Sequence, residues 1–208
     1  MQARTKRAEG GSGAGLFEPD ILLPNQYFAA FRRGRAVEGE RRLMLAVLDG
    51  PTIDDAFAGS VLNLNTGEAW TAIRKQGAWR GGALISVIPR ADRKRFQILG
   101  LESSPRALKL AQPLVDHSNK IRILGSMALS IAHTASGGFD VFCAPMPVRV
   151  FDMAASLLIL AEAGGVATDL QGNRVGPLEA SLETRTTLLC APNEGLHAEA
   201  LAIVGTQR

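Results

Sequence analysis

The stretch Arg149-Val-Phe-Asp152-Met-Ala-Ala-Ser-Leu-Leu-Ile-Leu-Ala-Glu162-Ala-Gly164-Gly165-Val-Ala-Thr-Asp169 decides the fold. Val148–Phe151 reads as extended chain ending on Asp152. Met153–Glu162 is apolar nearly all round, as a helix buried on every side must be. Gly164 and Gly165 stop it, because a glycine past a helix end takes the left-handed turn that closes the last carbonyls. Val166–Asp169 then reads as a strand, turning at Gln171-Gly-Asn173. Strand, buried helix, strand is the building unit of a layered α/β protein.

The same reading extends outward in both directions. Downstream, Thr186–Cys190 is a strand and Leu196–Val204 a closing helix. Upstream, Phe139–Cys143 is a strand, Met127–Ala135 a helix ended by Gly137-Gly138, and Ile121–Leu124 an extended entry to Gly125-Ser126. Pro105–Val115 has a helical apolar face, and Phe96–Leu101 is a strand. In the first half, Arg42–Leu48 is a compact apolar strand ending in Asp49-Gly50. Ser60–Leu64 and Glu68–Arg74 form a hairpin around Asn65-Thr-Gly67, followed by a turn at Gly77–Gly82. Gln26–Arg33 is expected as a short helix, and 1–15 as a flexible Gly/Ser-rich leader. The fold class is α/β, an α+β layered sandwich. Residues 16–208 form one domain with lobes 16–116 and 117–208.

Composition sets limits on function. A chain of 208 residues that is 46% hydrophobic can bury a core, and 21% charge excludes wholesale disorder. No apolar run approaches the ~18 residues of a membrane span, so no membrane partner is expected. The basic N-terminus leads into Gly10–Gly15 rather than an apolar segment, unlike a secretory signal. Two cysteines, Cys143 and Cys190, are too few for a disulfide framework, so a cytoplasmic location is expected. Residues 1–42 hold 8 Lys/Arg against 5 Asp/Glu, and the remainder holds 15 of each. That leaves no continuous basic face, and no nucleic-acid partner is expected. His117, His133 and His197 have no metal-ligand spacing, and Trp70 and Trp79 read as packing residues.

Two aspartates share a chemical context. Asp49 and Asp152 each follow an apolar strand and precede a turn or a helix start. A carboxylate there, near exposed backbone N–H groups, suits a hard cation or a phosphate. The same positions also suit a plain turn residue and a helix N-cap.

From Ile121 to Asp169 the chain resembles the inositol monophosphatase family of Mg²⁺-dependent phosphatases. The blocks are Arg122-Ile-Leu-Gly125-Ser126-Met-Ala128, Ala135-Ser-Gly137-Gly138-Phe-Asp140, Arg149-Val-Phe-Asp152-Met-Ala154-Ala155 and Glu162-Ala-Gly164-Gly165-Val-Ala-Thr-Asp169. Ala72-x-x-Lys75-Gln-Gly77-Ala-Trp-Arg-Gly81 is similar to the family's Ala-x-x-Gly-x-Gly-Ala-x-x-Asn-Gly turn. Arg149 resembles the branch with fructose-bisphosphatase as well as inositol-phosphatase activity. Ala46-Val-Leu48-Asp49-Gly50-Pro51-Thr52 is set against the family's Asp-Pro-Ile/Leu-Asp-Gly-Thr. There Ala46 replaces a metal-bridging aspartate and Pro51 stands at the threonine. The upstream Gly-Glu-Glu element has no clear counterpart, and one or both leading helices of the family fold are expected to be missing or reduced.

The resemblance implies a Mg²⁺-dependent phosphomonoesterase for a small phosphorylated polyol, sugar or nucleotide. It implies that Asp49, Asp152 and the Leu48 carbonyl bind metal, with Asp49 and Asp152 converging on one ion. Asp49 and Thr52 serve catalysis in that reading, while Gly50, Gly125, Ser126 and Arg149 face the substrate. Asp54, Asp55 or Glu38 are candidates to replace the absent carboxylate. The alternative implied by Ala46 is a member that binds a phosphorylated ligand or a partner without hydrolysing it. A shortened front leaves apolar surface bare, which points to a homodimer.

Overall fold

The structure, a computed structural model, describes residues 27–30, 42–86 and 94–205, so the leader expected at 1–15 lies outside it. Two sheets and five helices alternate in layers. The first sheet holds β1 (Tyr27–Ala30), β2 (Arg42–Leu48), β3 (Ala56–Asn63), β4 (Ala69–Ile73), β5 (Gly77–Arg80) and β6 (Ala83–Leu84) in sequence order. All its pairings are antiparallel. The second sheet runs β10-β11-β9-β7-β8, built from β7 (Phe96–Leu101), β8 (Ser118–Arg122), β9 (Val141–Arg149), β10 (Val166–Thr168) and β11 (Arg185–Ala191). Here β7 runs parallel to both β8 and β9.

Two expectations are corrected. The pattern of Gln26–Arg33 predicts a helix, but Tyr27–Ala30 is a strand paired with β2. The open edge of β2 offers backbone partners, and Tyr and Phe suit a pleated surface. The lobe boundary at 116/117 falls inside the second sheet, because β7 pairs with β8 across it. The change of layer comes between β6 and β7. Two smaller readings also shift. The helix expected over Pro105–Val115 is broken at Ala111 into α1 (Pro105–Leu110) and α2 (Gln112–Asp116), with Pro113 in the first turn of α2. Gly77–Arg80, expected as part of a turn, is strand β5.

The helices sort by which face of the second sheet they cover. α3 (Met127–Ala135) and α4 (Ala154–Glu162) lie between the sheets. They pack Leu129, Ile131, Leu157 and Ile159 against Met44, Ala46, Leu48, Val61 and Trp70 on one side and Phe142, Leu188 and Cys190 on the other. This is why the α4 sequence has no polar face. Gly59 lets the layers approach, since a Cβ there would lie 3.0 Å from the Ala155 carbonyl oxygen. The opposite face of the second sheet carries Phe96, Leu99, Val141 and Leu189 against α1, α2 and α5 (Glu194–Gly205). His197 is buried there beside the Thr168 hydroxyl at 3.0 Å. Burial lowers the pKa of its imidazole, and a backbone hydrogen bond with Leu189 opposes that shift.

The β4–β5 turn is tied to α4. Glu162, the last residue of α4, accepts from the backbone N–H groups of Lys75 at 2.7 Å and Gly77 at 2.9 Å. Lys75 has φ +64°, the single positive φ outside glycine among the described residues. It stands where the similar family turn has glycine. A left-handed L-residue costs about 1–2 kcal/mol, and the Glu162 anchor offsets that cost.

Candidate functional site

The parallel strands β7, β8 and β9 all finish at one end of the second sheet. Glu102 comes directly after β7, Gly125-Ser126 shortly after β8, and Asp152 shortly after β9. In open α/β sheets the crevice outside the carboxyl ends of parallel strands is where ligands bind. A cavity of about 210 Å³ sits there, lined by Glu102, Ser103, Gly125, Ser126, Ser130, Arg149 and Asp152, with Arg42 from the start of β2.

Each side chain is placed by its element. Ser126 caps α3, its hydroxyl accepting from the Leu129 N–H at 3.2 Å, so the N-cap reading and the cavity position both hold. Gly125 has φ +66°, and a Cβ there would meet nothing within 4 Å. Its glycine answers to backbone conformation and not to crowding. Asp152 lies in the 3-10 turn Val150–Met153 that precedes α4 and makes no capping hydrogen bond, so the N-cap reading fails for it. Arg149 is the exposed last residue of β9.

The structure does not bring Asp49 to this cavity. Asp49 follows the last residue of β2, whereas Arg42, its first, lines the cavity. Seven residues of extended chain span roughly 20 Å. Asp49 is instead held by both terminal guanidinium nitrogens of Arg74. Arg74 borders a second cavity together with Glu162. Asp49 and Asp152 therefore lie near opposite ends of α4.

The rest of the expected first metal motif builds the β2–β3 hairpin. The Thr52 hydroxyl and N–H both donate to Asp55 Oδ2, at 2.7 and 2.8 Å, and cap the single turn Ile53–Asp55. Those bonds lower the Asp55 pKa, the backbone one more than the side-chain one. A Cβ on Gly50 would lie 2.5 Å from the Asp55 carboxylate. Leu48 is fully buried and registered between Tyr27 and Ala56. Ala46 is a core residue, 2% exposed, paired to Gly59 across from α4. An aspartate at position 46 would bury an unpaired charge. Leu48 and Asp49, expected at the metal, Thr52, expected in catalysis with Asp49, and Gly50, expected at the substrate, thus lie in or beside a hairpin and do not line the first cavity. Asp54, a candidate replacement carboxylate, pairs with Arg174 at 3.1 Å. Glu38 lies outside the described residues.

The second cavity, about 390 Å³, lies at the carboxyl end of α4 over Leu157, Leu158 and Leu160. Arg74 and Arg174 on its rim are paired to Asp49 and Asp54. Residues of the phosphatase-like blocks line both cavities, Gly125, Ser126, Arg149 and Asp152 the first and Glu162, Gly165 and Thr168 the second, but only the first stands at the carboxyl ends of the parallel strands.

A profile of the inositol monophosphatase family matches residues 43–207. The chain belongs to the inositol monophosphatase family. It is 35% identical over 148 residues to a fructose-1,6-bisphosphatase/inositol-1-monophosphatase of Methanothermobacter thermautotrophicus, covering 71% of this chain and 52% of that one. It is 31% identical over 155 residues to the protein of the same description from Archaeoglobus fulgidus, covering 73% and 57%. Among solved structures, a Thermotoga maritima IMPase superposes with a TM-score of 0.68 at 25% identity, covering 79% of this chain and 61% of that one. The chain spans little more than half the length of these curated relatives. The family assignment and the layered α/β fold both agree with the sequence blocks from Ile121 to Asp169.

Magnesium is a hard cation that accepts one or two carboxylates and keeps several waters. Asp152 fits such a site. Among the described residues no group of three or more His, Cys, Asp or Glu side chains is arranged for a metal. Asp152 supplies one carboxylate at the cavity, and the described residues form no carboxylate cluster there. No described helix is long and apolar enough to cross a membrane.

Proposed function

We propose that this chain binds a small phosphorylated polyol or sugar in the cavity at the ends of β7, β8 and β9, and serves the Mg²⁺-dependent hydrolysis of its phosphomonoester. The observation that supports this most is the meeting of Gly125, Ser126, Arg149 and Asp152 around one cavity. Asp152 would hold Mg²⁺, which when bound neutralises phosphoryl oxygens as a Lewis acid. Arg149 and Arg42 add positive charge beside the ester. The first-turn N–H groups of α3, behind Ser126, favour an anion. The site's task in this reading is positioning and charge neutralisation.

A second reading, binding without turnover, is favoured by Asp49, whose carboxylate is committed to Arg74. The experiment is phosphate release from inositol monophosphate, fructose 1,6-bisphosphate and NADP, with Mg²⁺ and with EDTA. The expected result is Mg²⁺-dependent release from at least one of them. Mg²⁺-dependent binding of an ester without release supports the second reading, and absence of both overturns the proposal.

A cytoplasmic location and a homodimer belong to the same proposal. Both cysteines are buried free thiols, as in a reducing compartment. Burial pushes the Cys143 thiol up to about 12. Leu45, Ile73 and Leu84, 39%, 39% and 61% exposed, share the outer face of the first sheet by register. An apolar face of this kind marks an interaction surface. Light scattering is expected to give twice the chain mass, and a monodisperse monomer would overturn the dimer.

A further inference from the structure

Glu102 stands apart from every residue that the family blocks single out, yet it lines the cavity with Asp152. It follows β7 directly, and its backbone N–H donates to the Cys143 carbonyl at 3.1 Å, which fixes its Cα beside β9. Its Oε1 receives only a long contact, 3.4 Å, from the neighbouring Ser103 hydroxyl. Its Oε2 is buried and has no hydrogen-bond partner, the one such side-chain atom among the described residues. Native proteins pair nearly all buried polar atoms, and an exception calls for an explanation.

Resting on the reading that the cavity takes a phosphorylated polyol or sugar, we infer that Glu102 is the specificity-determining acceptor for the ligand's hydroxyl groups. An ionised carboxylate only accepts, so its partner is a donor group or a cation, and with Asp152 serving the cation in that reading the partner left for Glu102 is a donor. It also repels a phosphate. The cavity therefore has two chemically distinct sides. Arg149 and Arg42 attract the anionic ester, while Glu102 accepts from the hydroxyl-bearing carbon skeleton. A carboxylate that meets a hydroxyl in a desolvated site discriminates strongly against analogues lacking that hydroxyl, because it is otherwise left unpaired. Such an acid gives the site a preference for a polyhydroxylated body over a bare alkyl ester without touching the reacting phosphorus.

The test measures binding by calorimetry in Mg²⁺ buffer with two probes, inositol monophosphate and methyl phosphate. Both are phosphomonoesters, and only the first carries hydroxyls. Wild type is expected to prefer inositol monophosphate by about tenfold or more, the worth of one charge-assisted hydrogen bond. Glu102→Gln is expected to reduce that ratio to near one, with methyl phosphate bound no more weakly than by wild type because the repelling charge is gone, and Glu102→Asp to retain part of the preference. An unchanged ratio in Glu102→Gln overturns the inference while leaving the ester-binding reading intact. An equal loss for both probes assigns Glu102 a merely structural role and also overturns it. If wild type binds neither probe, the ester-binding reading itself fails.

Discussion

Asp152→Asn is expected to weaken Mg²⁺-dependent binding of inositol monophosphate by about 100-fold or more, the scale of losing a metal-site residue. Asp49→Asn is expected to change it by no more than about twofold, as for a surface substitution away from the site. The contrast comes from where the two carboxylates lie. Asp152 lines the cavity and spends nothing on capping α4. Asn keeps its shape there and removes the charge that a hard cation requires. Asp49 lies beyond the far end of β2 and is already neutralised by Arg74. Its ion pair is half exposed and worth below about 1 kcal/mol, so its loss scarcely disturbs the hairpin. Calorimetric titration of both variants, with Mg²⁺ present and removed, checks this. If Asp49→Asn fell as far as Asp152→Asn, the hairpin role would be wrong and the two carboxylates would have to act together.

The contrast also marks what the sequence can and cannot disclose. The second half is legible because its signals are unambiguous. Met153–Glu162 is too apolar for a surface helix, and Gly164, with φ +83°, closes it. Gly125-Ser126 before Met127 carries the N-cap that the structure displays. Leu48-Asp49-Gly50 misleads because an apolar strand ending in Asp-Gly suits a metal-bearing strand end and a hairpin equally well. The distinction is made by the partner strand. Only seven residues separate Leu48 from Ala56, with which it pairs, and so short a connection requires an antiparallel return. Glu102 escapes a reading of the sequence although it meets the same criterion as Asp49, an acidic residue at the end of an apolar strand. It lies outside every block that carries the family resemblance. Only coordinates bring β7 beside β9, and so Glu102 beside Asp152.

The largest stability effect is expected at Trp70. It is fully buried on the inner face of the first sheet, where β4 meets the helix layer. Its Nε1–H donates to the Ser136 hydroxyl at 3.1 Å, just past the end of α3, and that hydroxyl in turn donates to the Ala132 carbonyl at 2.9 Å. The His133 ring stands edge-on at 4.9 Å, and the Arg80 guanidinium lies 5.4 Å from the ring centroid. Trp70→Ala removes the ring from a rigid sandwich of sheet and helix that cannot collapse around the void, at a cost of about 3–5 kcal/mol. That is a large part of the 5–15 kcal/mol typical of a domain, and lowers the melting temperature by roughly 10 °C. Trp70→Phe keeps most of the volume and loses one hydrogen bond. Because Ser136 retains its bond to Ala132, the cost there is about 1 kcal/mol. Denaturant unfolding of the two variants separates packing from hydrogen bonding. Equal losses would mean that the indole N–H matters more than the volume of the ring. A Trp70→Ala loss below about 1 kcal/mol would mean that the first sheet is not packed on α3. The consequence reaches the cavity, because α3 carries Ser126 at its other end. A ring that fixes one end of a nine-residue helix also fixes the place of Gly125 and Ser126 in the cavity wall.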